Sequence, residues 1–403
     1  MHRRSTRLSI MATALGIGAA GIGITALAAG PAVADQPGDP TSGVLQATQV
    51  LAGSSLHHTF VPAGSSTPVT DPLTNPDDIT HLAGNLFVGF QNGVGPQGQP
   101  SGDGNPDSTI VELTPAGHVV GQWDVTGKAD GVTGDPALGG VVVTVNEDAN
   151  SALYVVHPRS GGSPGAVTTY SYSQPLPHQG GTDAISVYRG QLFISASAPG
   201  TTGAPAPQPT YPALYTVALD PTTGLATATP VFNDEDQATV ANVGSQLGQP
   251  TTLALTDPDS NEVVPKDGPR FGGDLMLTSQ GDLQQIYLSG AGRPDQHLSV
   301  LSLSQAVDDT VWPTEGPGAL YATDSAHDAV DMVTGRFPDG RPLVAVTPCG
   351  SNAAPVTCPA PPAYPANYLG TLDPWTGQVS AVTVGGQPFT PQGGLVFLPD
   401  RSR

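Results

Sequence analysis

Residues 77–90 read DDITHLAGNLFVGF, a short alternating run, a glycine turn and a second run that is almost entirely apolar. Apolar runs of this length, broken by Gly or Asn, are typical of β-strands joined by a tight turn. The same order of features returns five times, in ADGVTGDPALGGVVVTV (129–145), GTDAISVYRGQLFISAS (181–197), QPTTLALTDPDSN with RFGGDLMLTS (249–279), DDTVWPTEGPGALYATD (308–324) and, as one strand only, PQGGLVFLP (391–399).

Each of the first five units is followed by a second hairpin. Examples are STIVELTPAGHVVGQWDV (108–125), ALYTVALDPTTGLATATPVF (213–232) and NYLGTLDPWTGQVSAVTV (367–384). Proline and glycine suit these turns, because proline fixes one backbone angle and glycine supplies a positive one. Two strands followed by two strands, repeated along the chain, predict the four-stranded blades of a β-propeller.

The repeats predict an all-β fold, a six-bladed β-propeller over residues 43–400. Five units are complete, and the final strand at 393–398 needs partners, because a closed ring leaves no unpaired edge. We expect a composite sixth blade, with this inner strand and with outer strands from the segment after residue 43. The extra run RPLVAVTP (341–348) leaves seven blades as the alternative.

The repeat resembles the six-bladed propeller superfamily of the SMP-30/gluconolactonase-like, NHL-repeat and virginiamycin B lyase-like proteins. The resemblance implies the fold over nearly the whole chain, and its enzymes hold a divalent cation in the central channel. In gluconolactonases an acidic residue before Gly-Pro stands in the first inner strand, whereas here Glu315-Gly316-Pro317 falls in the fifth unit. No catalytic residue is therefore transferred, and the resemblance supports the fold more than an activity.

The N-terminus predicts export. Arg3, Arg4 and Arg7 precede an uncharged run rich in Ala and Gly, and Ala32-Val33-Ala34 supplies a cleavage site. This is the layout of a signal peptide over residues 1–34, followed by a flexible segment at 35–42, with an uncleaved anchor as the alternative. We expect a secreted monomer without a membrane segment after cleavage, exported by the Sec route rather than the twin-arginine route.

The charge limits the possible partners. Three of the 13 basic residues and none of the 34 acidic residues precede residue 35, so the remaining formal charge is 10 minus 34, or −24. Such a surface repels nucleic-acid phosphates, so nucleic acid is not expected as a partner. A small molecule, a carbohydrate or an extracellular protein remains possible, and Phe90, Tyr188, Trp312 and Trp375 are candidate stacking surfaces.

Acidic residues recur where the inner strands begin. The predicted register aligns Asp78, Asp130, Asp183 and Asp309, with Gln249 and Gln392 near it in the other units. The loops that join the second and third strands of two units add Glu147, Asp148 and Asp324 on the same face. Converging carboxylates repel one another, and Ca²⁺ or another divalent cation would relieve this. A purely structural role beside turns is the favoured interpretation of these recurring aspartates, and cation binding and acid-base chemistry are the alternatives. Asp77 and Asp308 are expected to be solvated loop residues.

Two further predictions concern a histidine and a pair of cysteines. His178, five residues before Asp183, is the candidate for a general base or a metal ligand. Cys349 and Cys358 are separated by eight small or turn-forming residues and predict a local disulfide. The sequence thus predicts an exported propeller that binds a ligand at its channel mouth without an assignable reaction. A cation-dependent lactonase, esterase or lyase is the alternative.

Overall fold

A computed structural model describes residues 44–158, 165–177, 181–197, 211–313, 318–337, 341–347 and 367–400. The strands of these segments are short and are numbered here in chain order. Strands β1 to β7 are Gln46–Ala52, His57–Phe60, Val69–Pro72, Pro76–Leu82, Asn85–Phe90, Asp107–Leu113 and Val119–Thr126. Strands β8 to β15 are Ala129–Asp135, Gly140–Val145, Ala152–Val156, Val167–Tyr172, Ile185–Tyr188, Gln191–Ser195, Pro212–Asp220 and Leu225–Asn233.

The second half of the chain continues the pattern. Strands β16 to β23 are Gln237–Val240, Pro250–Thr252, Pro258–Val263, Leu275–Ser279, Gln284–Ser289, His297–Ser302, Val307–Val311 and Gly318–Asp324. Strands β24 to β30 are Ala329–Gly335, Leu343–Val346, Tyr368–Leu372, Val379–Ala381, Thr383–Val384, Gln387–Pro388 and Leu395–Pro399. Gly53–Ser55 and Gly244–Gln246 are single turns of 3-10 helix. None of the described segments is a helix long and apolar enough to cross a membrane.

The strands assemble into four-stranded antiparallel units. Strands β4 to β7 form one sheet in chain order, and an eight-stranded sheet contains two more units, β8 to β11 and β12 to β15. A short parallel pairing of β11 with β15 joins these two units at their outer edges. In the next sheet β18 to β21 are in chain order, and the hairpin β16–β17 extends its edge through a parallel pairing with β21.

The innermost strands of the units are neighbours of one another in sequence order. Strand β4 contacts β8, β8 contacts β12, β12 contacts β18, β18 contacts β22, β22 contacts β30, and β30 contacts β4. This arrangement of sheets around an axis is that of a β-propeller, so the predicted all-β propeller class is confirmed. The number of blades and the closure of the ring stay predictions, which the order of the contacts supports.

The last two sheets differ from the sequence prediction. Strand β22 pairs with β25, in a sheet that continues through β26 to β27, whereas β23 and β24 lie between β30 and β1 in the composite sheet. The C-terminal strand is innermost and the N-terminal strand outermost, as expected, but the two middle strands come from the unit assigned to the fifth blade. A strand, a turn and a strand in sequence do not specify whether the two strands pair with each other.

The core lies between sheets rather than within one. Val88 of β5 packs with Tyr321 and Val396 of the composite sheet, while its neighbour Phe87 packs on Val141 of the second unit. Because both faces of β5 are covered, its run is apolar without alternation. This is the physical origin of the NLFVGF pattern.

Candidate functional site: an axial carboxyl cavity

The inner strands enclose a small cavity, here called the axial cavity. Its volume is about 50 Å³. Eight carboxyl side chains line it: Asp77, Asp78, Asp130, Asp183, Asp259, Glu262, Asp308 and Asp309. Ser260, Asn261 and glycines 131, 393 and 394 complete much of the wall. Room for one water requires about 10–15 Å³, so the cavity admits roughly three to five waters or an ion that keeps part of its hydration shell.

A bulge in each of four inner strands positions these carboxyls. The pairing register shifts between Pro76 and Ile79, between Ala129 and Val132, between Pro258 and Asn261, and between Val307 and Thr310. Two residues fill each bulge, so the strand turns a side chain out of the regular alternation. The first bulge residue is an aspartate in all four strands.

We call these aspartates, together with Asp183, the ring aspartates: Asp77, Asp130, Asp183, Asp259 and Asp308. Asp183 takes the corresponding place, because Ile185 two residues later pairs with Ile194 as Val132 pairs with Val143. In the sixth inner strand Gly393 stands at this point, two residues before Leu395. Asp130 is 4% exposed, and the other four ring aspartates keep more of their surface accessible at the cavity.

The predicted register was wrong by one residue in two strands. Asp77 and Asp308, rather than Asp78 and Asp309, are equivalent to Asp130 and Asp183. Asp77 and Asp308 lie within β4 and β22 and line the cavity, so their assignment to solvated loops was also wrong. In a pair of adjacent aspartates, either one can be aligned with the single aspartate of another strand. The correct alignment is shown by a β-branched residue, which stands two positions after the ring aspartate.

The fourth ring aspartate was missed. The sequence places the inner strand near Gln249, but that residue precedes β17 at the outer edge of its sheet, and β18 carries Asp259 instead. Asn261 occupies the place where other inner strands have Ile79 or Val132. The apolar residue that marks the inner strand in those units is therefore missing from this one. Gln392, the other predicted substitute, forms an isolated bridge with Asp324 next to Gly393.

Asp78 and Asp309, here called the clasp aspartates, join neighbouring inner strands. Asp78 accepts hydrogen bonds from its own strand at Ile79 N–H (2.7 Å) and from β8 at Val132 N–H (2.6 Å). Asp309 repeats this with Thr310 N–H (2.6 Å) and with Leu395 N–H of β30 (2.6 Å). Both carboxyls are therefore occupied with backbone donors across a junction between units.

Hydroxyl groups perform the same task at three other junctions. Thr144 Oγ1 donates to Asp183 O at 2.6 Å, and Ser195 Oγ donates to Asp259 O at 2.6 Å. Thr323 Oγ1 donates likewise to Asp77 O. Three of the five ring aspartates, Asp77, Asp183 and Asp259, thus have their main-chain carbonyls bound by the preceding unit, and all five residues line the cavity.

Two oxygens of the cavity wall have no hydrogen-bond partner within the described residues. One is Asp130 Oδ2, and the other is Ser260 Oγ of a residue that is 8% exposed. The remaining Asp130 oxygen has two contacts of 3.4 Å, with Gln91 Nε2 and Lys128 Nζ. Buried polar atoms are rarely left unpaired without a cause, and an absent ligand or ion is one cause.

Burial raises the pKa of the cavity carboxyls. It raises the pKa of Asp77, Asp130 and Asp309 to about 7, and that of Asp308 to about 6. The pKa values of Asp78, Asp183, Asp259 and Glu262 lie well above their ordinary range for the same reason, reinforced by neighbouring carboxylates. The site therefore holds protons near neutral pH, or binds a positive charge in their place.

One lysine was missed by the sequence reasoning. Lys128 Nζ contacts Glu147 Oε1 and lies 3.4 Å from Asp130 Oδ1, and its side chain is 15% exposed. Burial opposes its charged form, but Asp130, Glu147 and Asp77 outweigh this and raise its pKa. The sequence did show that Lys128 stands two residues before Asp130, and this proximity was the only sign of a contact between them. Among the predicted loop ligands, Glu147 is thus beside the site, while Asp148 is exposed.

Other predicted residues contribute less. Asp324 accepts hydrogen bonds from Ala326 N–H and His327 N–H and is paired with His327 Nδ1 at 2.8 Å, so it closes its own turn. Phe90, Tyr188 and Trp312 are buried, whereas Trp375 is 59% exposed, with Arg270 4.9 Å from its ring centre. His178, Glu315 and the pair Cys349 and Cys358 lie outside the described residues.

The arrangement differs from a preformed metal cage. In the described part of the chain, no three His, Cys, Asp or Glu side chains have the mutual geometry of a metal site. The carboxyl oxygens nevertheless surround one cavity, and oxygen ligands suit hard cations such as Ca²⁺ and Mg²⁺. A cation in this cavity would have to contact only one or two carboxylates directly and reach the others through water.

No protein-family model matches the chain, and no curated protein matches it. Solved structures do resemble it. They include a periplasmic gluconolactonase of Pseudomonas aeruginosa, at 13% identity and a TM-score of 0.40, covering 88% of this chain and 98% of that one. A putative 6-phosphogluconolactonase of Bacteroides fragilis has 10% identity and a TM-score of 0.41, covering 88% and 97%. A virginiamycin B lyase of Staphylococcus aureus has 10% identity and a TM-score of 0.33, covering 72% and 99%.

Proteins named gluconolactonase and virginiamycin B lyase are thus both among the structures similar to this chain, as the sequence resemblance implied. At these identities and TM-scores the likeness carries no inference about substrate or reaction. The chemistry of the site has to be argued from its own residues.

Proposed function

We propose that this protein binds a divalent cation in the axial cavity, with Ca²⁺ as the first candidate. The observation that carries the proposal is Asp130 Oδ2, a buried carboxyl oxygen without a hydrogen-bond partner on a residue that lines the cavity. Asp130 and Asp77 supply the nearest carboxylates, and Ser260 Oγ supplies a second unpartnered oxygen. Waters retained by the ion reach the other ring aspartates.

Export, as the N-terminal pattern predicts, would expose the site to the calcium concentrations outside the cell. Extracellular calcium sites typically have dissociation constants of about 10⁻⁴ to 10⁻³ M. Lys128 already offsets part of the negative charge, which is consistent with an affinity in that range rather than a tighter one. The cation then links carboxyls from several inner strands at the axis.

The test is a thermal melt of the purified protein with elemental analysis, in chelator and then in Ca²⁺ or Mg²⁺. At a cation concentration of 100 times the dissociation constant, binding stabilises the folded protein by about 2.7 kcal/mol. Asp130→Asn should reduce this gain, whereas Asp267→Asn, the same charge change at an exposed loop position, should retain it. A protein with no bound metal and no shift of its melting temperature in either ion would rule the proposal out.

A second candidate is a cation-assisted lactonase, esterase or lyase. The observation that favours it is the pKa of about 7 at both Asp77 and Asp130, since a carboxyl that titrates near neutral pH can take and return a proton. Turnover of a lactone and ester panel by the cation-loaded protein tests it. At a cation concentration that saturates both proteins, activity would have to fall in Asp77→Asn, and an inactive wild-type protein across the panel would leave binding as the function.

A further inference from the structure

Lys128 places a positive charge within reach of both Asp130 and Glu147. Its ammonium group bridges their carboxyls, and the charges of Asp77 and Asp183 also act on it or on its partners. It is therefore a cation of the protein itself at the edge of the axial cavity. Asp130 keeps one oxygen, Oδ2, that the ammonium does not use.

The backbone holds this lysine in place. Lys128 N–H donates to Asn146 Oδ1 at 2.9 Å, and Asn146 N–H donates to Lys128 O at 2.8 Å. Gly127 has a φ of +111°, and a Cβ there would lie 2.6 Å from Asn146 Oδ1. Asn146 immediately precedes Glu147, so one turn fixes both members of the ion pair.

The loop after β5 supports the same turn. Asp148 N–H donates to Pro96 O at 3.0 Å, Asn150 Nδ2 donates to Gln97 O at 3.3 Å, and a Cβ on Gly98 would lie 2.9 Å from Asn146 Nδ2. The loop and the turn therefore frame the edge of the cavity at which Lys128 enters. This frame fixes the backbone of Lys128, so that its side chain is held near the carboxyls.

We infer that Lys128 is a built-in competitor of the bound cation, and that it sets the affinity of the site by holding Asp130 and Glu147. The inference rests on the proposed function. A divalent ion that binds Asp130 must either share this carboxyl with the ammonium or displace it, and like charges at such short range repel strongly. Removal of the ammonium should therefore strengthen cation binding, although it removes a favourable ion pair.

The experiment measures Ca²⁺ and Mg²⁺ binding by calorimetry in the wild-type protein, Lys128→Met and Lys266→Met. Lys266 is exposed and is the other lysine of the chain, so Lys266→Met is a control with the same change of side chain and net charge. We expect at least tenfold tighter binding in Lys128→Met and unchanged binding in Lys266→Met. Equal or weaker binding in Lys128→Met would overturn the inference and leave the proposed function intact, whereas binding by none of the three would defeat the proposed function.

Two additions keep the test decisive. Should Lys128→Met be too unstable to purify, Lys128→Met with Glu147→Gln is compared with Glu147→Gln alone, and the double variant should bind at least tenfold more tightly. In addition, ¹⁵N-lysine labelling yields signals from two side chains only. Titration with Ca²⁺ should shift the ammonium signal of Lys128 and not that of Lys266, and an unmoved Lys128 signal in a cation-binding protein would contradict competition.

Discussion

Asp77 and Asp78 are adjacent in sequence and have opposite surroundings. Asp78 accepts two backbone hydrogen bonds and ties β4 to β8, whereas the side chain of Asp77 faces the cavity and other carboxyls. Asp308 and Asp309 repeat the contrast at the junction of β22 and β30. One member of each pair links neighbouring inner strands, and the other adds a carboxyl to the axial cavity. The two adjacent aspartates therefore serve different purposes.

The largest expected effect is the loss of a clasp. Asp78→Ala leaves the N–H groups of Ile79 and Val132 without their acceptor, and each buried unsatisfied donor costs about 1–3 kcal/mol. We expect the free energy of unfolding to fall by about 3 kcal/mol in a denaturant titration. Asp77→Ala, one residue away, should leave it unchanged or raise it, and equal losses in the two variants would erase the distinction between clasp and ring.

The pH dependence sharpens the same contrast. Folded-state pKa values of about 6 to 7 at Asp77, Asp130, Asp308 and Asp309 exceed the ordinary value of 3.8, so the folded protein binds more protons than the unfolded chain between these limits. Stability should therefore be highest at or below about pH 4 and fall by at least roughly 2–3 kcal/mol as the pH rises from there through 7 in chelator. Melting curves that rise or stay level from pH 5 to pH 8 would contradict the assigned burial of these groups.

A hydroxyl clasp should matter less than a carboxyl clasp. Thr144 Oγ1 donates to Asp183 O and accepts from Gly131 N–H at 2.8 Å, so Thr144→Val removes both contacts in a side chain of similar shape. We expect a loss of about 1–2 kcal/mol in the free energy of unfolding. Thr144→Ser, which keeps the hydroxyl, is the control and should recover most of the loss.

The smallest effect should have the opposite sign. Asp77→Asn removes one negative charge from the ring without changing the shape of the side chain. Burial raises the pKa of Asp77 to about 7, so the folded wild-type protein carries an ionised, poorly solvated Asp77 at pH 8 and a protonated one at pH 4. This variant should therefore be about 1 kcal/mol more stable than wild type at pH 8 in chelator and no more stable at pH 4. Equal effects at the two pH values would show that the charge of Asp77 is not what destabilises the ring.

The predictable part of the fold followed from local patterns. Alternation, Gly turns and Pro-x-Thr-Gly hairpins identified strands such as β5, β9 and β26 because these signals depend on neighbours in sequence. The partner of β22 did not follow, because Val307–Val311 and Gly318–Asp324 look like one hairpin yet belong to different sheets. Pairing between distant strands is decided by how the whole ring packs.

The candidate site was predictable in kind and not in register. Sequence reasoning found Asp130 and Asp183 at the inner strands, but it exchanged Asp77 for Asp78 and overlooked Asp259. The bulges explain the error: two residues oppose one, so simple alternation no longer indicates which side chain faces the axis. Lys128 was overlooked because its ion pair with Glu147 forms only through the turn at Asn146, and the sequence alone does not show that contact.

By itself, the sequence determined that this chain is all-β, repetitive and strongly acidic, because strand periodicity, turn residues and net charge are local or additive properties. Only the tertiary structure decided that eight carboxyls share one cavity of about 50 Å³, that two of them are bound to backbone donors, and that a lysine contacts a third, Asp130. These facts depend on distances between strands far apart in sequence, and the electrostatic energy of a charge depends on those distances and on its burial.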